Sequence, residues 1–574
     1  MMPKPPQVEP PVYRPRSVTR RSFLGVAGLA SLSLRGKPAF GLPERRPYDI
    51  VVRHGVVFDG MGTAGREMDM AILNGLIAAI APRIAETGRV EIDARGMVVA
   101  PGFIDIHSHA DDTLFEDPLA ESVIRQGVTT VVIGQDGFSR APLRAGDRPD
   151  PHVPAFANMR EELQAIDALP STVNVASLVG LGTIRHAVIG DDDRPATPAE
   201  IHAMTALVES ALESGACGAS TGLEYIPGGF ASQDELTALC RPLAGRGLPY
   251  ATHMRNEDDH VLEAIDEAVA IARGAGCPLQ ISHLKTEGPR NWNKIDAVFG
   301  RTDAAKHSDL DVAFDRYPYI AFQTILANLF PKWSEDGGTD AFLRRLSDPS
   351  LSEKLRAAVL AKIDLLGGWD DVSIASVSDN ADRLAVGQRL GSYAKSLGRD
   401  PYDVTVELLK HSRGDISTVA FVMKEENLER ILPHPLGMVC SDGSAVAIDR
   451  PGQTDRPHPR SLGTFPRALG RYVREKPVLT LPQAIYKMTG FPASRLKLAD
   501  RGRLAPKLAA DFVVFDPATV CGRATFDDPF QYPVGIKAVA VNGHMALLEG
   551  HREERRNGRA LRPATQSTHI EEHL

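Results

Sequence analysis

Residues 100–112, APGFIDIHSHADD, end an apolar run on two histidines one residue apart, His107 and His109, with two acids close behind. Side chains at i and i+2 of a strand point to the same face, so both imidazoles project together. In a barrel of parallel strands that shared face is the interior, at the C-terminal mouth where active sites sit. Two imidazoles there form a chelate for a borderline ion such as zinc, which binds ring nitrogen at about 2.0–2.1 Å. The HxH pair alone is weak evidence, because buried histidines often only hydrogen-bond a carbonyl.

The segments that follow supply the barrel. VTTVVIG, VNVASLVG, GACGASTG, LPYATH, CPLQISH, DVAFDRYPY and GMVCSDG are short apolar runs ending in polar residues or glycine. Stretches with apolar spacing of three and four lie between several of them, such as AEIHAMTALVESALES and VLEAIDEAVAIARGAG, and that period is helical. Repeated β–α alternation implies parallel strands, and with the FIDIH strand the candidates reach the number a (β/α)8 TIM-like barrel needs. A doubly wound open sheet is the alternative, but no GxGxxG follows the first strand. The rhythm lapses over about 323–413, which predicts an insertion, a small subdomain or lid beside the site.

The barrel's ligand candidates lie at its strand ends. VVIGQDG closes with Asp136, LPYATH with His253, PLQISH with His283 and GMVCSDG with Asp442. Singly, each is as readily a satisfied core histidine or a helix N-cap. Jointly, four histidines and two aspartates ending five strands suit one or two divalent ions, most simply zinc, with a water between them. Paired ions about 3.5–4 Å apart acidify that water and polarise a carbonyl. Asp442 is the natural proton carrier between the water and a leaving nitrogen. The chemistry is hydrolytic.

Both ends of the chain have a different texture. From Tyr48 the runs YDIVVRHGVVFDG, MDMAILNGLIAAIAP and VEIDARGMVVAPG carry His54-Gly55, Asn74-Gly75 and Arg95-Gly96 between apolar strands, which is hairpin chemistry. ADFVVFDP and IKAVAVNGHMALLEG repeat that texture near the C-terminus, with Asn542-Gly543 as a turn. A small β-sandwich built from both termini is expected, with 47–99 and 496–562 flanking a barrel over 100–495 and a tail at 563–574. Residues 1–46 are set apart as an export signal and linker. Arg20 and Arg21 precede an apolar stretch too short to span a bilayer, and the pattern resembles a twin-arginine leader for export to the periplasm or beyond.

Composition excludes other classes. A hydrophobic fraction of 43% and a charged fraction of 24% fit a soluble globular chain of 574 residues. The net charge of −8 argues against a nucleic-acid partner. Five scattered cysteines make neither a disulfide framework nor a CxxC metal site. No membrane span is expected in the mature chain, and oligomeric state is left open.

The motifs PGFIDIHSHAD, GQDGFS, GASTGLEYIPG, THMRNE, ISHLKTEG, DRYPYIA, SDG and HPRSLGTFPR resemble the N-acyl-D-amino-acid deacylases of the amidohydrolase superfamily. The resemblance runs from about Tyr48 to Arg562. It implies a metal-dependent barrel with a β-sandwich that hydrolyses the amide of an N-acylated D-amino acid. By motif, His253, His283 and Asp136 would hold a tight zinc, while His107, His109 and Asp442 line a weaker second position, Asp442 acting as acid and base. Lys285, Tyr317 and Arg460 resemble the family's clamp on the substrate α-carboxylate, a role suited to cations and a phenol. Better-known members carry cysteine where this chain has Asp136, and carboxylate is the harder ligand, so metal preference and number are open. Glu224 is a reserve ligand. A dipeptidase on peptides with D- or unusual residues, a cyclic amidase and a non-catalytic binding protein are the alternatives, the last disfavoured because all six ligand positions are metal-competent.

Overall fold

The computed structural model describes residues 48–111, 113–147, 154–448, 455–554 and 556–564. The expected export signal at 1–46 and most of the tail lie outside them. Strands β1 (Tyr48–Val57), β2 (Arg66–Leu73), β3 (Leu76–Ala81), β4 (Gly88–Asp93) and β5 (Val98–Pro101) open the chain. Asn74 and Gly75, at φ 52° and 80°, close the β2–β3 hairpin, as a tight hairpin turn with two left-handed residues requires. The other two dipeptides are not hairpins. His54-Gly55 forms a bulge inside β1, where the register with β2 shifts. Arg95-Gly96 joins β4 to β5, which both run parallel to β1. The Ala94 amide donates to the Arg53 carbonyl at 2.8 Å and the Val56 amide to the Met97 carbonyl at 2.9 Å. The turn therefore carries one interrupted strand past the bulge in β1.

Next come β6 (Phe103–Asp105), β7 (Val128–Ile133), β8 (Asn174–Ser177), β9 (Val179–Gly180), β10 (Ala219–Gly222), β11 (Tyr250–His253), β12 (Leu279–Ile281) and β13 (Val312–Arg316). After an insertion holding β14 (Phe322–Ile325), β15 (Val372–Val377) and β16 (Ile416–Ala420), the chain returns at β17 (Gly437–Val439). β6, β7 and β8 pair in parallel. So do β9 to β13 and β17 in that spatial order. Only Leu178 separates β8 from β9, and a parallel bridge from Ser108 to Gly443 joins the extensions of β6 and β17. The ring closes as an eight-stranded (β/α) barrel. Its strands are buried along their length, as expected where helices cover a parallel sheet. The helix Pro198–Ser214 shows how these helices are specified. Thr197 and Glu200 form a capping box, Pro198 opens the first turn, and Gly215 ends it at φ 114°. Met204, Val208, Ala211 and Leu212 make its buried stripe.

The insertion is a subdomain. β14, β16 and β15 form an antiparallel sheet in that order, backed by the helices Ser352–Leu366 and Pro401–His411. It is wider than 323–413, because β16 pairs with both β14 and β15 and so belongs to it.

β18 (Phe512–Phe515), β19 (Ile536–Val541), β20 (His544–Leu548) and β21 (His551–Arg552) complete the chain. β18 pairs antiparallel with β5, which merges both termini into one β domain around Ile50, Val52, Met70, Phe512 and Val514. The sandwich boundary at 562 shifts inward, since the Val175 amide donates to Arg559 and the Leu561 amide to Val175, adding 559–561 to the barrel at β8. Asp511 fixes the two domains together. It accepts from Asn174 on β8 at 2.9 Å, from the Asn542 amide at 2.5 Å, and from Arg501. Among the described residues no helix is long and apolar enough to cross a membrane.

Candidate active site

Three of the five barrel strands that end in ligand candidates turn sharply there. Asp136, His283 and Asp442 have φ of 51°, 35° and 52°, a left-handed conformation that is uncommon outside glycine and concentrates at functional sites. Beside Asp136, Gly137 passes so near β10 that an added Cβ would lie 2.7 Å from the Gly222 amide. The chain can thus drop the Asp136 carboxylate into the barrel axis.

That carboxylate is the hub of the site. Oδ2 lies 3.5 Å from His253 Nδ1, His283 Nε2 and His109 Nε2, and Oδ1 lies 3.5 Å from His107 Nε2. His253 Nδ1 and His283 Nε2 are 3.1 Å apart. On the other side, Asp442 Oδ1 is 3.0 Å from His109 Nε2 and 3.6 Å from His107 Nε2. All six expected ligands converge, in a set of three and a set of four that share Asp136. Tetrahedral ligands at about 2.0–2.1 Å from an ion stand about 3.3–3.4 Å apart, and the observed spacings bracket that value.

Orphaned polar atoms support the same fit. Both ring nitrogens of His107, Asp136 Oδ1 and His253 Nε2 are buried and form no hydrogen bond, a costly state unless a ligand completes it. Burial opposes protonation of His107 and His253, yet the charges of Asp136 and Glu257 respectively hold these imidazoles above their usual range. A pocket that favours positive charge this strongly suits a cation, which displaces the protons on binding.

Buried carboxylates around the ligands went unnoticed in the sequence. Glu257 places Oε1 3.2 Å from His283 Nδ1 and Oε2 3.6 Å from His253 Nε2, the ring nitrogens that face away from Asp136. It stands four residues after His253, a spacing that offered a signal. Asp315, at the end of β13, accepts from the His283 amide at 2.8 Å and faces His107 Nδ1 at 3.5 Å. Asp105 accepts from the Ser441 amide at 2.8 Å and from its hydroxyl, bracing the turn that carries Asp442. Such outer carboxylates fix ring orientation at metal sites. Glu224 stands 3.7 Å from His253 Nε2, on the side away from Asp136.

The three expected carboxylate-clamp residues fall in different places. Arg460 opens the helix Arg460–Arg467 and donates from Nη1 to Asp442 Oδ2 at 2.5 Å. Lys285 is buried, with Nζ on Glu257 and 2.8 Å from His283 Nδ1. Both line a cavity of about 380 Å3 above the ligands. Tyr317 is fully buried and does not line that cavity. Its ring packs against the guanidinium groups of Arg316 at 4.2 Å and Arg460 at 5.0 Å, and its hydroxyl forms no hydrogen bond. In this state Tyr317 supports Arg460 from behind.

Comparisons with known proteins agree with this geometry. Residues 90–359 match the model of the amidohydrolase family. The chain is 36% identical to D-aminoacylase of Alcaligenes xylosoxydans xylosoxydans over 507 residues, covering 87% of this chain and 94% of that protein. It is 38% identical to N-acyl-D-glutamate deacylase of the same organism over 525 residues, 90% of this chain and 96% of the other. The crystal structure of N-acyl-D-glutamate deacylase from Bordetella bronchiseptica, complexed with zinc and a phosphonate mimic of the tetrahedral intermediate, superposes with a TM-score of 0.77 at 36% identity. That match covers 90% of this chain and 99% of the other.

Proposed function

This chain belongs to the D-aminoacylase family of N-acyl-D-amino-acid deacylases, within the amidohydrolases, and we propose that it hydrolyses the amide of an N-acylated D-amino acid to a carboxylate and the free D-amino acid. The observation that carries the proposal is the pairing of two ligand sets across Asp136 with Arg460 bound to Asp442 at the cavity floor. The cofactor is a divalent metal, zinc in the solved relative. His253, His283 and Asp136 would hold one ion, and His107, His109, Asp442 and the same Asp136 a second. When bound, the metal supplies a water acidified toward neutrality and a Lewis acid for the amide carbonyl.

The chain's own groups do the rest. Arg460 meets the substrate α-carboxylate and so aligns the amide over the ligands, with Lys285 adding positive potential from the same wall. Asp442 Oδ1 takes a proton from the attacking water as the carbon–oxygen bond forms. It returns that proton to the nitrogen as the carbon–nitrogen bond breaks. An open-chain substrate with a free carboxylate suits two cations in the wall better than a cyclic amide does.

Export is proposed on the Arg20-Arg21 leader pattern. The activity is tested by release of free amine from N-acetyl-D- and N-acetyl-L-amino acids, together with metal content of the purified protein. Turnover of the D series, lost to a chelator and restored by zinc, is the expected result. Turnover confined to L substrates or to cyclic amides would overturn it.

A further inference from the structure

The helix that carries Arg460 begins on an imidazole. His458 is fully buried, and its Nδ1 accepts from the Arg460 amide at 3.0 Å. That amide is one of the donors that a helix N-terminus leaves without a partner inside the helix. A side-chain oxygen of Ser, Thr, Asp or Asn usually serves such a donor, but here a ring nitrogen two residues upstream does. Pro459 lies between the two residues with φ fixed at −63°, so the cap and the arginine are joined by a stiff link.

The far edge of the same ring reaches another part of the fold. Nε2 lies 2.9 Å from the Ala321 carbonyl, and the His458 amide donates to Gln323 Oε1 at 2.8 Å. Ala321 immediately precedes β14, the first strand of the subdomain, and Gln323 lies on that strand and lines the cavity. Because Nδ1 accepts, the ring proton sits on Nε2 and goes to Ala321, so a neutral imidazole uses both nitrogens. Burial first, and the Arg460 charge second, hold the ring well below its usual range and so keep it in that form. Tyr319 and Phe526 set their rings edge-on to it at 5.0 and 4.9 Å, a favourable aromatic geometry. At the other end of the helix, Arg467 Nε donates to the Pro318 carbonyl at 2.7 Å. The link 317–323 between barrel and subdomain thus grips the helix at both ends.

We propose that His458 is a positioning residue for the reaction: by capping Arg460 and tying it to the root of the subdomain, it sets where the guanidinium stands between Asp442 and the substrate carboxylate. His458 does not line the cavity, so it acts through Arg460. The proposal rests on the deacylase reading above and on the role given there to Arg460. The guanidinium already holds Asp442 Oδ2, and a misplacement of about 1 Å in an aligned site can cost about 10²-fold in rate. A backbone anchor at the start of the helix limits that error.

Two variants separate capping from packing. His458→Asn keeps an acceptor for the amide two residues on, as asparagine does in turns, and shortens the arm toward Ala321. His458→Gln carries its amide farther out, where it serves Ala321 and not the Arg460 amide. The zinc-loaded proteins are assayed for kcat/KM on an N-acetyl-D-amino acid and on its methyl ester. In His458→Gln the acid-over-ester ratio is expected to fall about fivefold or more, chiefly through KM of the acid, with zinc content unchanged. His458→Asn should bring the ratio back to within about twofold of wild type. A merely structural role would lower acid and ester turnover alike and leave the ratio in place. A ratio unchanged in His458→Gln, or no higher in His458→Asn than in His458→Gln, would overturn the proposal and leave the deacylase assignment intact. Wild-type protein that turns over neither substrate would remove both.

Discussion

Arg460 donates to Oδ2 of Asp442 at 2.5 Å, which leaves Oδ1 of that carboxylate facing His109 and His107. One oxygen is thereby held by a fixed cation and the other is presented to the reacting centre. Burial disfavours the charge on Asp442, but the Arg460 guanidinium together with His109, His283 and His107 more than compensates and keeps the group ionised. An ionised carboxylate can accept a proton from water. Asp442→Asn preserves shape and loses that capacity. The ion proposed at His253, His283 and Asp136 should be retained, while kcat falls roughly 10²–10⁴-fold, the range for a positioned proton-transfer group. Metal analysis alongside steady-state kinetics checks this, and kcat near wild type would reject the role.

Arg460→Ala removes both the partner of Asp442 and the cation proposed to meet the substrate carboxylate. KM for an N-acetyl-D-amino acid should rise, and the advantage of the free acid over its methyl ester should shrink. Arg460→Lys keeps the charge without the planar fork, so it should recover only part of the acid-over-ester preference. The ratio of kcat/KM for acid and ester reads this out. A ratio equal in wild type and Arg460→Ala would place the carboxylate elsewhere.

Glu257 tests the layer behind the ligands. Its two oxygens face the outward nitrogens of His283 and His253 while it also accepts from Lys285. Glu257→Gln should weaken the tighter metal site about 10–100-fold, the usual cost of losing a carboxylate behind a ligating histidine. Zinc affinity measured by chelator competition separates this from a general loss of fold, which a melting curve of the zinc-saturated variant would show. Unchanged affinity would make Glu257 a partner of Lys285 alone.

The cluster of ligand candidates was legible in the sequence because a barrel strand is a short apolar run with a definite end, and His107, Asp136, His253, His283 and Asp442 stand at such ends. What surrounds them was not. Asp315 and Glu257 look like ordinary charged residues in one dimension, and only the return of distant strands shows that they are buried against imidazoles. A dipeptide such as Arg95-Gly96 announces a turn but not the partner strand, which for β4 and β5 lies about forty residues earlier. The pairing of β14 with β16 spans more than ninety residues of helical insertion, so no local pattern revealed the sheet that walls the cavity.

Glu162 gives the fold a pH dependence independent of the metal ligands. It is fully buried on the helix Met159–Ala168, where Oε1 accepts from the Ser177 hydroxyl at 3.1 Å and Oε2 forms no hydrogen bond. Burial first, and the nearby charge of Asp111 second, push its carboxyl up to about 8. The folded state therefore binds this proton more tightly than the unfolded chain, where a glutamate titrates near 4.3. Its stabilising contribution is complete below the unfolded value and is lost as pH rises through about 8. Between those limits the slope approaches about 1.4 kcal/mol per pH unit. Glu162→Gln keeps an acceptor for Ser177 and carries no charge at any of these pH values. Its melting temperature, measured with zinc saturating, should match wild type near pH 5 and exceed it by several degrees near pH 8.5. Parallel pH profiles for the two proteins would show that the unfolded and folded states hold this proton equally.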